Sequence, residues 1–383
     1  MNKTIIKGHK IRIYPNKEQR ILIEKHFGCC RFIWNYMLNL QNKLYKETGK
    51  HYRVFDTIKL VNNIKQQESY NWLYEVSNAS LQEICRDLDK AFNRFFNKIS
   101  NYPKFKSKKT DTKSYPVRDD RFYFKTKKLL KIEKLGLIKY KTDLNFELNI
   151  SKFKNVRLSK EGNKYYISFV LEYENQVPEL NDYKLGIDLG VKELAVCFCT
   201  NNESYFFENI NKSEKMKKLF NEVKLLQRSI MRKYRQNKQG DKFIRTKNIL
   251  KEMKRLQKVY RKISNIKADY IHKTTRKLVN LLPQEIIVED LHISNLIRNN
   301  KISNALFQQN LFMFKNLLSY KAEWQGIKFT IADRFYPSSK TCSKCGYIKK
   351  DLKLKDRIYK CNECDLILDR DLNAAINLAN YTT

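Results

Sequence analysis

The order of apolar and polar residues divides the first hundred residues into a strand and a helical block. In HKIRIYPNKEQ the apolar residues Ile11 and Ile13 alternate with polar ones as far as Pro15, which predicts a strand. From about Lys17 to Ile99 the apolar spacing is that of helices.

The last predicted helix of this block has an apolar face in SLQEICRDLDKAFNRFFNKI. Ser80 and Glu83 have the spacing of a capping box and predict its N-terminus. The apolar residues that recur at helical spacing are Leu81, Ile84, Leu88, Phe92, Phe95 and Phe96. We interpret these aromatic side chains as part of a core rather than as a surface on which bases stack.

Alternating segments return between about 115 and 180, after the lysine-rich loop YPKFKSKK. The segments FELNI, NVRLS and KYYISFVLEY each have period-two patterning and predict strands. They predict a small β-barrel or sheet that the N-terminal strand completes, with the helical block inserted into it.

The second half of the chain alternates short apolar strands with helices. KLGIDLGVKELAVCFCTNNESYFF predicts three strands separated by turns, and residues 211–280 are helical and basic. QEIIVEDL and GIKFTIADRF predict two further strands, and the alanine-rich DRDLNAAINLA predicts a final helix. The fold class is therefore mixed α/β with several domains.

The charge balance points to a polyanionic partner. Among 383 residues, 77 Lys and Arg face 40 Asp and Glu, a formal net charge of +37. A compact body with this charge repels itself unless a polyanion neutralises it, so nucleic acid is the first candidate and an acidic membrane the alternative. The hydrophobic fraction of 42% excludes a disordered chain. No apolar run is long enough for a signal peptide or a membrane span, which predicts a reducing cytoplasmic location.

Four of the nine cysteines have the spacing of a zinc ribbon. Cys342 and Cys345 form one CxxC pair, and Cys361 and Cys364 form another. Two such pairs complete a tetrahedron of thiolates, and a site closed by four thiolates is structural rather than catalytic. A redox pair is the alternative. The other five cysteines are interpreted as small buried apolar residues: Cys29, Cys30, Cys85, Cys197 and Cys199.

Three acidic residues lie at the ends of predicted elements. Asp188 lies near the end of the apolar strand YKLGIDLG, Glu289 ends EIIVE with Asp290 beside it, and Asp371 opens the final helix. Taken singly, Asp188 could cap a turn and Asp371 could cap its helix. Taken together, two strand-end acids and one helix-start acid suit a ribonuclease H type of fold, in which such acids hold two divalent ions. Oxygen ligands of this kind select Mg²⁺ or Mn²⁺.

Several motifs in this order resemble one protein family. GIDLGVKELAV, IIVEDL, FYPSSKTCSKCG and DRDLNAAINLA strongly resemble the TnpB proteins of bacterial insertion sequences, and KIRIYPNKEQ and YPKFKSKK fit the opening of that family. These proteins are RNA-guided DNA endonucleases with a RuvC nuclease domain, related to type V CRISPR effectors. The resemblance covers essentially the whole chain.

The resemblance implies catalytic residues and partners. Asp188, Glu289 and Asp371 match the three RuvC acids and would bind Mg²⁺ or Mn²⁺, with Asp369 a local rival of Asp371. The zinc ribbon would lie beside the cleavage groove and brace Asp371. The implied partners are a guide RNA and target double-stranded DNA, in the cytoplasm of a prokaryote at the nucleoid. Candidate phosphate contacts are Lys104, Lys106, Lys108 and Lys109.

The resemblance also implies a division into domains. The N-terminal β-barrel, or wedge, would be 1–16 and 111–180, with a helical recognition lobe at 17–110 inserted into it. The RNase H-like RuvC domain would be 181–340 and 366–383, with its helical insertion at about 211–280 and the zinc ribbon inserted at 341–365.

Other functions share parts of this pattern. A protein-guided transposase or resolvase of the ribonuclease H type would use the same acids but read DNA itself, and we find no clear helix-turn-helix in the sequence. A nuclease-inactive RNA-guided DNA-binding regulator would have lost a catalytic acid, whereas this chain has candidates for all three. A miniature CRISPR effector would differ only in genomic context.

Overall fold

The computed structural model describes residues 2–109, 112–142, 153–290, 310–353 and 356–382. These residues form two compact units, an N-terminal unit of Thr4–Tyr173 and a C-terminal unit of Met1–Lys3 with Glu174–Thr383. The predicted mixed α/β class is confirmed. The segment FELNI, which predicted a strand, lies outside the described residues.

The N-terminal unit contains a seven-stranded sheet with the order β2-β6-β7-β1-β5-β4-β3. Its strands are β1 Asn2–Tyr14, β2 Ser114–Pro116, β3 Phe122–Phe124, β4 Leu129–Ile132, β5 Gly136–Lys141, β6 Lys154–Glu161 and β7 Lys164–Gln176. Strict alternation along β7 buries Tyr165, Ile167, Phe169 and Leu171, as the period-two pattern predicts. Within the described residues β2 and β3 are the two edges of this sheet, so of the two predicted forms, barrel or sheet, the sheet is found there and a closed barrel is not.

Three helices pack with this sheet around one core: α1 Lys17–Thr48, α2 Val54–Gln66 and α3 Asn78–Phe96. Short 3₁₀ segments occur at Glu68–Glu75 and Asp119–Arg121. Asn16 caps α1 through a reciprocal capping box with Gln19.

The start and the end of α3 differ from the prediction. Its cap is Ser77, whose hydroxyl accepts the N–H of Ser80, so the predicted capping box at Ser80 and Glu83 is wrong. Ser80 instead lies in the first turn of α3, where it is buried between Ala79 and Leu81. Leu81, Ile84 and Leu88 are buried as predicted, whereas Phe96 is 64% exposed and lies outside the core.

The C-terminal unit is built on a five-stranded sheet with the order β10-β9-β8-β13-β14. Its strands are β8 Asn181–Leu189, β9 Glu193–Cys199, β10 Ser204–Glu208, β13 Pro283–Val288 and β14 Lys328–Ile331. The first three pair antiparallel as a meander, and β13 lies parallel to both β8 and β14. This topology places the carboxyl ends of β8 and β13 at the same edge of the sheet.

Helices cover the sheet and extend away from it. They are α4 Glu214–Gln236, α5 Lys247–Val279, α6 Leu311–Trp324 and α7 Arg370–Ala379, with a 3₁₀ turn at Ile210–Lys212. The small hairpin of β11 Lys238–Gln239 and β12 Lys242–Phe243 joins α4 to α5, and the two helices share an apolar seam. We call the pair of helices α4 and α5 the basic hairpin, because its residues 214–262 carry 18 Lys or Arg against 4 Asp or Glu.

Helix α7 lies unusually close to strand β8. A Cβ atom at Gly186 would come within 2.2 Å of both the Ala375 carbonyl oxygen and the Ala379 nitrogen. Ala374, Ala375 and Ala379 are fully buried at this contact. Glycine in the strand and alanines in the helix therefore bring the two backbones together.

Two further sequence expectations can be compared with the described residues. The five cysteines outside the CxxC pairs are all buried, as predicted. No described helix combines the length and the apolar character that crossing a bilayer requires.

Candidate active site and the adjoining four-cysteine cluster

Two of the three predicted acids lie at the common edge of β8 and β13. Ile187 of β8 pairs with Val288 of β13, so the next residues along the two parallel strands are Asp188 and Glu289. Asp188 is 8% exposed and Glu289 is partly buried. The apolar strands leave both carboxylates where a charged group is costly without a cation or hydrogen-bond donors.

The third predicted acid comes from the first turn of α7. Asp371 is 7% exposed, and the helix packs across β8 and β9. The N-cap of this helix is Asp369, whose Oδ1 accepts the N–H groups of Asp371 and Leu372 at 2.9 and 3.2 Å. The capping function considered for Asp371 therefore belongs to Asp369, which favours Asp371 over Asp369 as the third acid of the group.

The three carboxylates act on one another electrostatically. Burial, and then the negative charges of Glu289 and Asp371, raise the pKa of Asp188 well above its ordinary value. Burial also raises the pKa of Glu289 to about 7, although a backbone hydrogen bond from Leu189 opposes that shift. Without a cation this group is self-repelling.

Cations already engage the acids around this group. Arg370 donates to Oδ1 of Asp371 at 3.1 Å, and Lys192 pairs with Asp369 at 3.8 Å. Asp290 pairs with Lys315 at 3.3 Å and with Arg334 at 3.4 Å. Burial alone would raise the pKa of Asp290, but these two cations hold it below its ordinary value. Asp290 is therefore a carboxylate whose negative charge is balanced by Lys315 and Arg334.

The donor set suits divalent cations with oxygen ligands. Asp188, Glu289 and Asp371 supply carboxylate oxygens, and their mutual repulsion would be relieved by positive charge between them. Among the described residues, the four cysteines are the group whose ligand atoms lie close enough together to hold one metal ion, all within 4.8 Å of one another.

The four cysteines of the CxxC pairs form one compact cluster, as the spacing predicts. The Sγ atoms of Cys342 and Cys364 lie 3.5 Å apart, and those of Cys345 and Cys361 lie 3.6 Å apart. Zinc–sulfur bonds of about 2.3 Å at tetrahedral angles require sulfur atoms just under 4 Å apart, so the cluster has the size of a zinc site. Strands β15 Ile358–Lys360 and β16 Ile367–Asp369 form the second knuckle, over the buried ring of Tyr359.

Two buried asparagines join the first knuckle to helix α7. Asn373 accepts the N–H of Ser343 at 3.0 Å and donates to the Thr341 carbonyl at 2.7 Å. Asn377, one turn later, donates to the carbonyls of Ser338 and Thr341, each at 2.7 Å. We did not single out either residue in the sequence, although two asparagines four apart in the apolar run NAAIN are a detectable signal of buried polar contacts.

The predicted phosphate-contacting lysines lie on a loop fixed against α1. Trp34 donates to the Lys104 carbonyl at 3.0 Å, and Asn35 bonds both backbone groups of Lys106. Lys104, Lys108 and Lys109 are exposed, whereas the ammonium of Lys106 lies 3.9 Å from the Trp34 ring centre. Lys106 is therefore less available to a phosphate than the other three.

Three family models match parts of the chain. A family described as "Cas12f1-like, TNB domain" matches residues 312–378, which include the cysteine cluster and α7. "Probable transposase" matches residues 168–300, and "Helix-turn-helix domain" matches residues 1–50. The sequence showed us no clear helix-turn-helix, and in the structure residues 2–50 form strand β1 and the single continuous helix α1.

Curated relatives match along nearly the whole chain. A Streptomyces pristinaespiralis protein named "Putative RNA-guided DNA endonuclease" is 26% identical over 99% of this chain and 90% of its own length. "Putative RNA-guided DNA endonuclease InsQ" of Escherichia coli K12 is 26% identical over 97% of this chain and 91% of its own length. "TnpB-like protein L770" of Acanthamoeba polyphaga mimivirus is 24% identical over 97% of this chain and 72% of its own length.

Proposed function

The chain belongs to the TnpB family, and we propose that it is an RNA-guided DNA endonuclease of a transposable element that cuts DNA beside a short flanking motif. The observation that carries the proposal is the convergence of Asp188, Glu289 and Asp371 at one edge of the five-stranded sheet. The meander followed by two parallel strands is the strand order expected of a ribonuclease H-like RuvC domain.

The three acids would hold two Mg²⁺ or Mn²⁺ ions. Such ions supply an activated water and stabilise the leaving oxygen of a phosphodiester. Asp188 and Glu289 are fixed by neighbouring parallel strands, and Asp371 is fixed by a helix whose cap is a different residue. Asp188 lies within β8, Glu289 directly follows β13 and Asp371 lies in α7, so rigid elements orient the carboxylates.

Arg370 has a positioning role in this proposal. Its guanidinium lies against Asp371 at 3.1 Å and orients that carboxylate beside the two other acids.

The four cysteines would hold one structural zinc ion. The ion would fix the two knuckles, and Asn373 and Asn377 would transmit that rigidity to α7. The zinc ribbon would therefore support the position of Asp371 and take no direct part in the cleavage.

The basic surfaces would hold the guide RNA and the target DNA through phosphates, while base pairing selects the sequence. The basic hairpin and the lysines at 104, 108 and 109 supply positive charge for this role. In this proposal 1–16 and 111–180 form the wedge and 17–110 the recognition lobe. The RuvC domain is then 181–340 and 366–383, with the ribbon at 341–365, and the protein acts at the nucleoid in a prokaryotic cytoplasm.

The test uses protein purified without nuclease treatment, together with its copurified RNA. We expect a discrete RNA with defined ends, and changing its guide segment should redirect Mg²⁺-dependent cutting to a new site beside the same motif. Asp188→Ala, Glu289→Ala and Asp371→Ala should each abolish cutting and keep RNA binding, because the basic surface supplies the affinity. Asp369→Ala is the matched control and should retain more activity than Asp371→Ala.

Three results would overturn parts of the proposal. If RNA-free protein cuts a specific duplex equally well, a protein-guided transposase or resolvase is the better account. If both Asp369→Ala and Asp371→Ala cut normally, the third acid is misassigned and the nuclease mechanism fails with it. A wild-type protein that binds RNA and target without cutting would instead be a DNA-binding regulator.

A further inference from the structure

A cavity of about 520 Å³ opens in the N-terminal unit, between the end of α1, the end of α3 and the loop that follows α3. The walls are unusually rich in aromatic rings, which are Tyr45, Tyr52, Phe92, Phe95, Phe96 and Tyr102. A cavity of this size is within the range of small-molecule sites and accommodates a nucleoside.

The aromatic rings hold one another in place. The Tyr102 ring meets Phe95 edge-on at 5.1 Å and Phe92 at 5.6 Å between centroids, and Phe92 stacks with Phe96 at 6.3 Å. The Tyr102 hydroxyl bonds the Asn42 side chain at 2.5 Å, which fixes the loop against α1. The walls are therefore built before any ligand arrives.

Core packing does not account for all of these rings. Tyr45 and Phe96 are each 64% exposed, on opposite helices that border the cavity. Large aromatic side chains at this exposure gain little from burial, and exposed rings around a concave site are the usual platform for unpaired bases.

The polar groups of the cavity suit a base rather than a phosphate. Asp89 contributes a carboxylate that accepts one bond from Asn93 at 3.1 Å and retains further acceptor capacity. Gln41 bonds both backbone groups of Tyr52 at 2.9 Å and so fixes the opposite wall. A carboxylate inside the cavity repels phosphate and accepts hydrogen bonds from base N–H or ribose hydroxyl groups.

The charges around the cavity are opposite to the charge inside it. Residues 41–53 and 89–104, which supply the lining, carry eight Lys or Arg and only two Asp or Glu. On the two helices that border the cavity, Lys46 and Arg94 are exposed and directly adjoin the lining residues Tyr45 and Phe95 in sequence. Phosphates would be held outside by these cations while a base enters the aromatic cavity.

We propose that this cavity binds one unpaired base of the guide RNA. The proposal rests on the proposed RNA-guided function, because a structured RNA held throughout the reaction offers bulged or looped bases, whereas target DNA arrives paired. Unstacked RNA bases are commonly recognised by stacking on aromatic side chains together with hydrogen bonds to their edges.

The test uses full-length protein freed of copurified RNA and a ten-nucleotide oligouridine RNA with one central 2-aminopurine. Stacking quenches 2-aminopurine fluorescence, so wild-type protein should bind the probe with strong quenching. Tyr45→Ala and Phe96→Ala should each weaken binding about tenfold and remove most of the quenching, as loss of a stacking partner does. Phe55→Ala is the matched control, because Phe55 is 69% exposed in the same unit but does not line the cavity.

The outcomes separate this inference from the proposed function. Unchanged affinity and quenching in both cavity variants, with melting temperatures equal to wild type, would overturn the cavity assignment while RNA guidance stands. Equal binding and quenching of the same oligomer made as DNA would overturn the assignment to RNA. Wild-type protein that carries no copurified RNA would instead remove the proposed function itself.

Discussion

The close contact between β8 and α7 makes Gly186 sensitive to substitution. Replacing it with alanine would place a Cβ atom 2.2 Å from two backbone atoms of α7 and 2.8 Å from a third. Backbone atoms cannot rotate away as a side chain can, so the whole helix must move. The nearest contacts must lengthen from 2.2 Å to at least 3.0 Å, a displacement of about 0.8 Å.

The displacement should reduce both stability and cleavage. Overpacking of this kind costs about 1–3 kcal/mol, and in a unit of about 200 residues 1 kcal/mol lowers Tm by about 2–4 °C. We therefore expect Gly186→Ala to lower the Tm of the C-terminal unit by roughly 3–10 °C. Asp371 lies one turn before Ala375 on the helix that moves, and a misplacement of about 1 Å can cost about 100-fold in rate. Cleavage measured well below Tm should fall by about that factor, with RNA binding retained.

Gly28→Ala is the matched control for this experiment. A Cβ atom at Gly28 meets nothing within 4 Å, and the residue lies in the middle of α1. Alanine there should stabilise the protein by about 0.5–1 kcal/mol because it lowers the entropy of the unfolded chain. If Gly186→Ala has the same Tm and the same rate of cleavage as wild type, the close contact between β8 and α7 is wrong.

Two further predictions concern the cysteine cluster and a buried histidine. Elemental analysis of reduced protein should find one zinc per chain. Cys361→Ser should lose that zinc, lower Tm and slow cleavage, whereas the control Cys29→Ala should keep the zinc. A wild-type protein without zinc would contradict this prediction. His26 is fully buried, donates from Nδ1 to the Leu22 carbonyl and accepts the Ser77 N–H at Nε2. Burial lowers the pKa of His26 from 6.5 to about 4, and the positive charge of Lys134 adds to this lowering. The hydrogen bond to Leu22 and the carboxylate of Glu133 oppose the shift. The unfolded chain takes up a proton below pH 6.5 and the folded chain only near pH 4. The free energy of unfolding should therefore fall by about 3 kcal/mol as the pH is lowered from 6.5 to 4. Denaturant titrations at several pH values should show this loss, and an unchanged pH slope in His26→Gln would refute the assignment to His26.

Local patterning predicted those features that depend on a few neighbouring residues. Alternation in β7 and the two CxxC pairs depend on short-range spacing, and the described strands and the sulfur cluster match them. The sequence predicts that Asp188 and Glu289 meet because strand-end acids come together in a ribonuclease H type of fold, and the structure places both at one edge of the sheet. Their catalytic role stays a prediction.

Features that depend on tertiary packing were not predicted from the sequence. Phe96 continues the apolar spacing of α3, yet it is the last residue of that helix and is exposed, whereas Leu88 is buried in the core. Asp369 and Asp371 are both acids near a helix start, and only the backbone conformation decides which one caps. Asn373 and Asn377 bond carbonyls more than thirty residues earlier in the chain. Their spacing signals buried polar contacts, but it does not identify these partners.

The position of α7 in the chain determines when the candidate active site can form during synthesis. Strand β8 is translated about 180 residues before the helix that packs on it, and the basic hairpin of α4 and α5 is complete about 90 residues before that helix. A nascent chain therefore carries the positive charge of this hairpin while Asp188 still lacks its partner from α7. Contacts so distant in sequence form late, so under the proposed function the charge that attracts RNA is present on the growing chain before the acids that cut DNA are assembled.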